Sequence, residues 1–154
     1  MPEWGYSITD LDPENTAKAS GRELRISPKA AREVCAVIKG MMLDEAKEFL
    51  RQVMAMKKAV PFRRYNKKLP HRRGLNGAGR YPVKAASKIL KILESAEANA
   101  DFKGLDAEKL KIIHAAAYPG AKIRRYIPRA FGRATPKFET LCHVEIVLEQ
   151  VKEG

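Results

Sequence analysis

Three segments of the chain carry apolar residues at the spacing of an amphipathic helix. The first begins at Ser27-Pro28 and ends at Gly40. Serine is a good N-cap, and proline lacks the N–H that the first helical position leaves unpaired. The second runs from about Leu43 to Lys57, and the third opens at Pro82 and stops at Gly104. The spacing i, i+3, i+4 predicts three buried stripes: Ala31, Val34, Cys35 and Ile38; Ala46, Phe49, Leu50, Val53 and Met54; and Val83, Ala86, Leu90, Leu93 and Ala96.

Two segments near the C-terminus have the pattern of β-strands. Residues 110–118 are apolar and strand-like, and residues 138–149 alternate with a period of two. The alternation predicts opposite faces for two sets, namely Phe138, Thr140, Cys142, Val144, Ile146 and Leu148, and Glu139, His143, Glu145 and Glu149. At the other end of the chain, residues 4–8 predict a short strand that a polar connection joins to the first helix.

The segment between the two C-terminal strands is strongly basic. Residues 121–137 hold six Lys or Arg residues and no Asp or Glu, with turn-forming Pro128 and Gly132 among them. Two strands joined in this way predict a hairpin, residues 119–138, whose arms of roughly ten residues would extend about 30 Å. Such an arm has little apolar surface to bury. We therefore expect it to be mobile in the free protein and ordered by a polyanion, with RNA as the first candidate.

A second basic segment, residues 58–80, lacks any apolar period. More than 20 residues without regular structure in a compact domain indicate either function or disorder. Its cations occur in pairs with Phe62, Tyr65 and His71 between them, and cations contact phosphates while flat rings stack on unpaired bases. On the third helix, a row of lysines at i, i+4, i+7 extends this surface: Lys84, Lys88 and Lys91. An ordinary solvated helix face explains this row equally well.

The distribution of charge favours a nucleic-acid partner. The chain has 154 residues, which suits one domain spanning residues 1–154, and a formal net charge of +12. Residues 49–93 and 109–138 contain no Asp or Glu, yet they hold 21 of the 30 Lys and Arg residues. A surface that served only solubility would intersperse the two signs. The cations lie mainly in loops rather than along an amphipathic helix, which disfavours a membrane surface as the partner.

The sequence offers little for catalysis. Cys35 and Cys142 match no zinc spacing and are expected to be buried thiols of a reduced, cytoplasmic protein. His71, His114 and His143 are far apart and have no metal or nucleophile pattern around them, and the basic regions have no carboxylates to hold catalytic cations. No apolar run approaches the roughly 20 residues of a membrane span, and no signal-peptide pattern is present. We predict a protein that is not an enzyme and has no metal or cofactor.

The most specific motif is Arg124-Arg-Tyr-Ile-Pro-Arg-Ala-Phe-Gly-Arg-Ala-Thr-Pro136, which is followed by the His-bearing alternation. Four further segments add to this motif: residues 60–66, residues 79–82, the N-terminal Tyr6-Ser-Ile and the helix start at residues 27–32. Together they resemble the universal ribosomal large-subunit protein twenty-two family in its archaeal form, over nearly the whole chain. The resemblance implies an α+β fold, with three helices packed on a small antiparallel three-stranded sheet and a long extended β-hairpin.

The resemblance also implies a function. Members are structural constituents of the large ribosomal subunit that bind large-subunit rRNA, aid subunit assembly and adjoin neighbouring large-subunit proteins. By this resemblance, rRNA contacts are predicted for Arg63, Arg64, Lys67, Lys68, His71, Arg72, Arg73, Arg80, Lys84, Lys88, Arg124, Arg125, Arg129, Arg133 and Lys137. The hairpin would line the peptide exit tunnel, and its tip would face the nascent polypeptide with Pro128, Arg129, Ala130, Phe131, Gly132, Arg133, Ala134 and Thr135. Residues 67–73 differ from the shorter, glycine-rich loop that is typical of the family.

Two other functions remain open at this point. A generic basic nucleic-acid-binding protein, such as a nucleoid protein or an RNA chaperone, explains the charge but not the long hairpin, and comparable affinity for duplex DNA would support it. A small metal-free ribonuclease would need a histidine beside cations, and His71 next to Arg72 and Arg73 is the only hint. RNA cleavage that disappears in His71→Ala would support that function.

Overall fold

The computed structural model describes residues 5–152 and contains one three-stranded antiparallel sheet with the order β1–β7–β4. Its strands are β1 (Thr16–Leu24), β4 (Leu110–Ile123) and β7 (Glu139–Gln150). The last strand lies in the centre, where Ile146 is opposite Ala19 of β1 and Ala115 of β4.

Three helices and two short ladders complete the described fold. The helices are α1 (Pro28–Ile38), α2 (Leu43–Met54) and α3 (Val83–Phe102). The ladders pair β2 (Val60–Pro61) with β3 (Gly79–Arg80), and β5 (Tyr126–Pro128) with β6 (Ala134–Pro136). The predicted class is confirmed: it is an α+β fold of three helices on a small antiparallel sheet, with an extended hairpin.

The helix boundaries agree closely with the sequence pattern. The side chain of Ser27 accepts the N–H of Ala30 at 3.4 Å and Pro28 opens α1. After α1 the chain turns at Gly40, whose φ of +91° is easy only for glycine. The second helix ends at Met54 rather than near the predicted Lys57, and α3 starts directly after Pro82.

The helices pack on one face of the sheet and bury most of the predicted apolar stripe, namely Cys142, Val144, Ile146 and Leu148. Its first two members differ: Phe138 is exposed and precedes β7, and Thr140 is half-buried. Helix α1 contacts β4 and β7, and α3 contacts β1 and β7. Burial raises the pKa of the Cys35 thiol to about 12, helped by the neighbouring Cys142. Burial likewise raises the pKa of Cys142 to about 11. Both thiols are therefore protonated and inert at neutral pH, as expected of core cysteines.

The opposite face of β7 is also covered, which its polar pattern did not predict. Glu145 is fully buried and His143 nearly so. The Glu145 carboxylate accepts the backbone N–H of Ser7 at 3.1 Å and lies 2.9 Å from Nε2 of His114. The Nδ1 atom of His143 accepts the N–H of Glu23 at 3.1 Å. These polar side chains are tolerated inside because each is hydrogen-bonded.

The prediction of a first strand at residues 4–8 is wrong within the described residues. Residues 5–8 form no strand, and Trp4 lies outside the described part of the chain. The strand is instead Thr16–Leu24, inside the segment predicted to be a polar connection. Its buried face consists of small residues, Ala17 and Ala19, which carry a much weaker alternation signal than Val or Ile.

The basic loop, residues 58–80, is folded rather than structureless. The β2–β3 ladder closes it, and His71 and Ala78 form an isolated bridge within it. Val60 is fully buried and Phe62 is only 5% exposed, so the loop inserts its own apolar anchor into the core. The Phe62 ring is therefore not available to stack on a base.

One buried carboxylate attaches the basic loop to α1. Glu33 is 1% exposed, and its two oxygens accept the backbone N–H groups of Arg63 and Arg64, each at 3.1 Å. The guanidinium of Arg32 lies at the same distance. Burial raises the pKa of Glu33, but the hydrogen bonds from Arg63 and Arg64 and the charge of Arg32 outweigh burial and hold that pKa below its ordinary range. The carboxylate is thus charged at neutral pH.

Replacing this carboxylate by an amide should weaken the fold. Glu33→Gln aims an N–H₂ group at loop N–H donors, and we expect the free energy of unfolding at pH 7 to fall by about 2 kcal/mol in urea titrations. Because the pKa of Glu33 is depressed in the folded state, its stabilising contribution exists above the unfolded-state pKa and is lost as the pH falls through the folded-state value. The difference between variant and parent should therefore shrink towards pH 3.

The matched control is Glu48→Gln, since Glu48 is an exposed carboxylate on α2. Its substitution should change the free energy of unfolding by less than about 0.5 kcal/mol. A Glu33→Gln protein as stable as its parent at pH 7 would show that the carboxylate does not hold the loop.

Candidate nucleic-acid interface

The residues predicted to bind RNA form an exposed cationic surface. All of them are exposed except Arg72 and Lys88, which are half-buried. Within residues 5–152, Arg125 is the only one of the set with a carboxylate within 4 Å, that of Glu139 at 3.6 Å. Most of these cations therefore have no acidic partner in the described part of the chain and are available to phosphate oxygens.

Two helices that border this surface have a lysine in their first turn. Lys29 lies in the first turn of α1 and Lys84 in that of α3, and neither first turn holds an acidic residue. The helix dipole favours acids at this end, as in α2, whose first turn holds Asp44 and Glu45. Both helix starts therefore combine the positive end of the helix dipole with a lysine, which is a favourable arrangement for an anion.

Three adjoining cavities connect the basic loop to the hairpin. The first, of about 600 Å³, lies between the start of α1, the basic loop and the start of α3, and it brings Arg64, Lys67 and Arg80 together. The second, of about 700 Å³, shares Lys29 with the first and extends to Lys122. The third, of about 490 Å³, brings Lys84, Arg125 and Lys137 together. Neighbouring cavities share lining residues, so they form one continuous cationic groove.

Among the described residues, one carboxylate lines this groove, and it is neutralised. Glu139 lies 3.1 Å from a guanidinium nitrogen of Arg25 and 3.6 Å from one of Arg125. The hydrogen bond from Arg25 is the main cause that holds the pKa of Glu139 below its ordinary range, and the charge of Arg125 adds to it. The carboxylate draws the two arginines together at the base of the hairpin.

The hairpin extends from the sheet as predicted. Strands β4 and β7 pair as far as Ile123 opposite Glu139, and beyond them Pro128 lies opposite Ala134 in the β5–β6 ladder. The N–H of Arg129 donates to the carbonyl of Arg133 at 2.8 Å and closes the tip. No residue from 119 to 138 is buried, and Phe131 at the tip is 97% exposed.

Not every predicted residue joins the groove. Arg63, Lys68 and Arg73 belong to the basic loop but do not line the three cavities, and Arg129 and Arg133 lie at the hairpin tip. Arg72 helps to build the loop, because its Nε donates to the carbonyl of Gly79 at 3.2 Å. Its Cζ also lies 5.5 Å from the centroid of the Tyr81 ring.

Sequence analysis missed several groove residues. Arg25, Lys29 and Tyr81 line the groove, although they stand outside the two basic segments. A usable signal for Lys29 was its place in the first turn of a helix with no acid beside it. For the others the chain offers no local signal, since only the fold brings them together.

The described residues show no cluster of metal-ligating side chains. Between residues 5 and 152, no three His, Cys, Asp or Glu side chains are grouped so that they could hold a metal ion. His114 and His143 are engaged with Glu145 and Glu23 on the covered face of the sheet. In the same part of the chain, no helix is long and apolar enough to cross a membrane.

Comparisons with known proteins agree with this surface. The family described as ribosomal protein L22p/L17e matches residues 19–149. The chain is 58% identical over 152 residues to large ribosomal subunit protein uL22 of Methanopyrus kandleri, with 96% of each chain covered. It is 56% identical to uL22 of Methanocaldococcus jannaschii, with 97% of each chain covered, and 52% identical to uL22 of Thermofilum pendens, with 99% of this chain and 100% of the relative covered. The family model matches most of the chain, and the archaeal relatives match nearly its full length. This chain therefore belongs to the ribosomal protein L22p/L17e family.

Proposed function

We propose that this protein is a structural constituent of the large ribosomal subunit and that it binds large-subunit rRNA. The observation that carries the proposal is the continuous groove between the basic loop and the hairpin, lined by cations of which few have a carboxylate partner. Relatives named as large ribosomal subunit proteins support it. We further propose that residues 1–154 act as one domain from which loop 58–80 and hairpin 119–138 reach into RNA.

The mechanism is charge neutralisation combined with shape. Lys and Arg side chains of the groove displace counterions from phosphates, so RNA segments that would repel one another can approach. The starts of α1 and α3 add backbone N–H groups and the positive ends of their dipoles to Lys29 and Lys84. Contacts of this kind hold RNA in a fixed position without reading its sequence, as assembly of a subunit requires.

The hairpin carries the second part of the proposal. Its stem residues Arg124, Arg125 and Lys137 contact rRNA, and its tip, residues 128–135, faces the nascent polypeptide in the exit tunnel. Support comes from the exposure of the whole hairpin, which has no buried residue of its own and extends from the edge of the domain. Neighbouring large-subunit proteins and the nascent chain are therefore proposed as partners beside rRNA.

The proposal agrees with the prediction that the chain is not an enzyme, since its relatives are named as ribosomal proteins. A generic nucleic-acid binder would account for the charge alone. It gives no reason for the extended hairpin or for the nearly full-length likeness to ribosomal proteins.

Charge reversal at the hairpin stem should block assembly. We expect a tagged parent chain, expressed in an archaeal host, to stay with the large subunit in a sucrose gradient after a high-salt wash. The variant with both Arg124→Glu and Arg125→Glu should instead remain at the top of the gradient. Its net charge is four units lower at a site that faces phosphates, and the Arg125 guanidinium is lost from Glu139. The control, Lys39→Glu with Lys111→Glu, makes the same change of charge at exposed sites outside the groove.

The outcomes distinguish a structural protein of the large subunit from a generic nucleic-acid-binding protein. Release of the parent chain by salt would mean loose electrostatic attachment and would favour the generic binder. Normal incorporation of the Arg124, Arg125 variant would contradict a role of the stem in rRNA binding.

Shortening the tip should separate binding from tunnel contact. Replacing Arg129–Arg133 by Asn-Gly keeps Pro128 opposite Ala134 and closes the ladder with a favourable two-residue turn. We expect this variant to enter the large subunit normally, because the groove and the stem are intact. Photoreactive nascent chains should crosslink to the parent tip and lose that crosslink in the variant. Failure of the variant to assemble, or the absence of any crosslink to the parent hairpin, would count against this division.

A further inference from the structure

The first cavity of the groove differs from the other two in bringing three aromatic rings together. Its wall includes Phe62, Tyr65, Leu69 and Tyr81, contributed by the basic loop and by the residue before Pro82. Its volume of about 600 Å³ lies in the range of sites for small organic molecules. Tyr65 is 37% exposed, so its ring is open to a ligand in the cavity, whereas Phe62 is buried and forms the floor.

Cations surround this aromatic lining. The Nζ atom of Lys29 lies 5.6 Å and the Cζ atom of Arg64 lies 5.8 Å from the centroid of the Tyr65 ring. Lys67 and Arg80 line the same cavity, and no carboxylate of residues 5–152 does. In the free protein the charged groups of Lys29 and Arg64 lie near the Tyr65 ring. Their long side chains allow them to turn towards a phosphate instead.

An aromatic wall with a cationic rim matches the chemistry of a single nucleotide. A paired RNA helix presents phosphates and sugars outward and keeps its base faces stacked inside, so it would meet the rim and leave the rings unused. An unpaired nucleotide offers both groups at once: a base face for Tyr65 or Tyr81 and a phosphate for Lys29, Arg64 or Arg80.

We propose that this cavity is a pocket for one unpaired nucleotide of RNA, whose base stacks within the Tyr65 and Tyr81 wall while its phosphate is held by Lys29, Arg64 and Arg80. The inference rests on the proposed function, because it specifies which form of RNA one part of the groove binds. The remaining groove has single rings rather than an aromatic wall, namely the shared Tyr65 and, in the third cavity, Phe138. It then follows the sugar–phosphate backbone on towards the hairpin stem.

The test uses two short RNA duplexes that differ at one nucleotide. One contains a single bulged 2-aminopurine, and the other has the same 2-aminopurine paired with uridine. The full chain should bind the bulged duplex roughly tenfold more tightly, with a change in 2-aminopurine fluorescence at saturation. Tyr65→Leu and Tyr81→Leu should each lower the affinity for the bulged duplex and reduce the fluorescence change, while the affinity for the paired duplex stays as in the parent and shows that the fold is kept.

Two controls define the role of the ring. Tyr65→Phe retains the aromatic face and should preserve the preference for the bulge. Phe102→Leu removes a ring that is 95% exposed at the other end of α3 and should change neither affinity. Equal binding of the two duplexes by the parent, or a preference that survives Tyr65→Leu and Tyr81→Leu combined, would overturn the pocket and leave rRNA binding standing. Binding of neither duplex would overturn the proposed function together with the pocket.

Discussion

The Glu33 carboxylate is the contact on which the RNA-binding surface depends. The basic loop contains many like charges, which repel one another and oppose a compact conformation. A buried anion under the loop, bonded to the backbone N–H groups of Arg63 and Arg64, fixes the start of the loop against α1. Because the anion uses backbone rather than side-chain groups of these two arginines, their cationic side chains stay exposed. The same contact therefore orders the loop and leaves its charge free for a partner.

The groove brings many cations together around one carboxylate, that of Glu139, among the described residues. Lysines stand at the starts of α1 and α3, where the helix dipole disfavours them, and arginines crowd around Glu139 at the hairpin base. The apolar core between the helices and one face of the sheet provides the stability that tolerates this crowding. Bound RNA would remove the repulsion, so folding and RNA binding act in the same direction.

The sequence predicted those features whose signal is local. The start of α1 at Ser27-Pro28, the alternation of β7 and the hairpin followed from neighbouring residues, and the structure shows each of them. Strand β1 was missed because its buried face holds alanines, and the order of the basic loop was missed because Glu33 is about thirty positions away from its partners Arg63 and Arg64. The residues predicted to bind RNA were found by charge, whereas Arg25 and Tyr81 enter the groove only through the fold. Long-range contacts of this kind leave no pattern in a single sequence.

Amide hydrogen exchange tests this account most directly. If Glu33 holds the loop, the amides of Arg63 and Arg64 exchange slowly in the free protein, because both donate to a buried carboxylate. The hairpin has no core, and an isolated two-stranded ladder is marginal in water, so amides between Tyr126 and Pro136 should exchange rapidly until rRNA is added. Rapid exchange of the Arg63 and Arg64 amides would contradict a preformed loop. Slow exchange of the hairpin amides without RNA would contradict a hairpin that RNA orders.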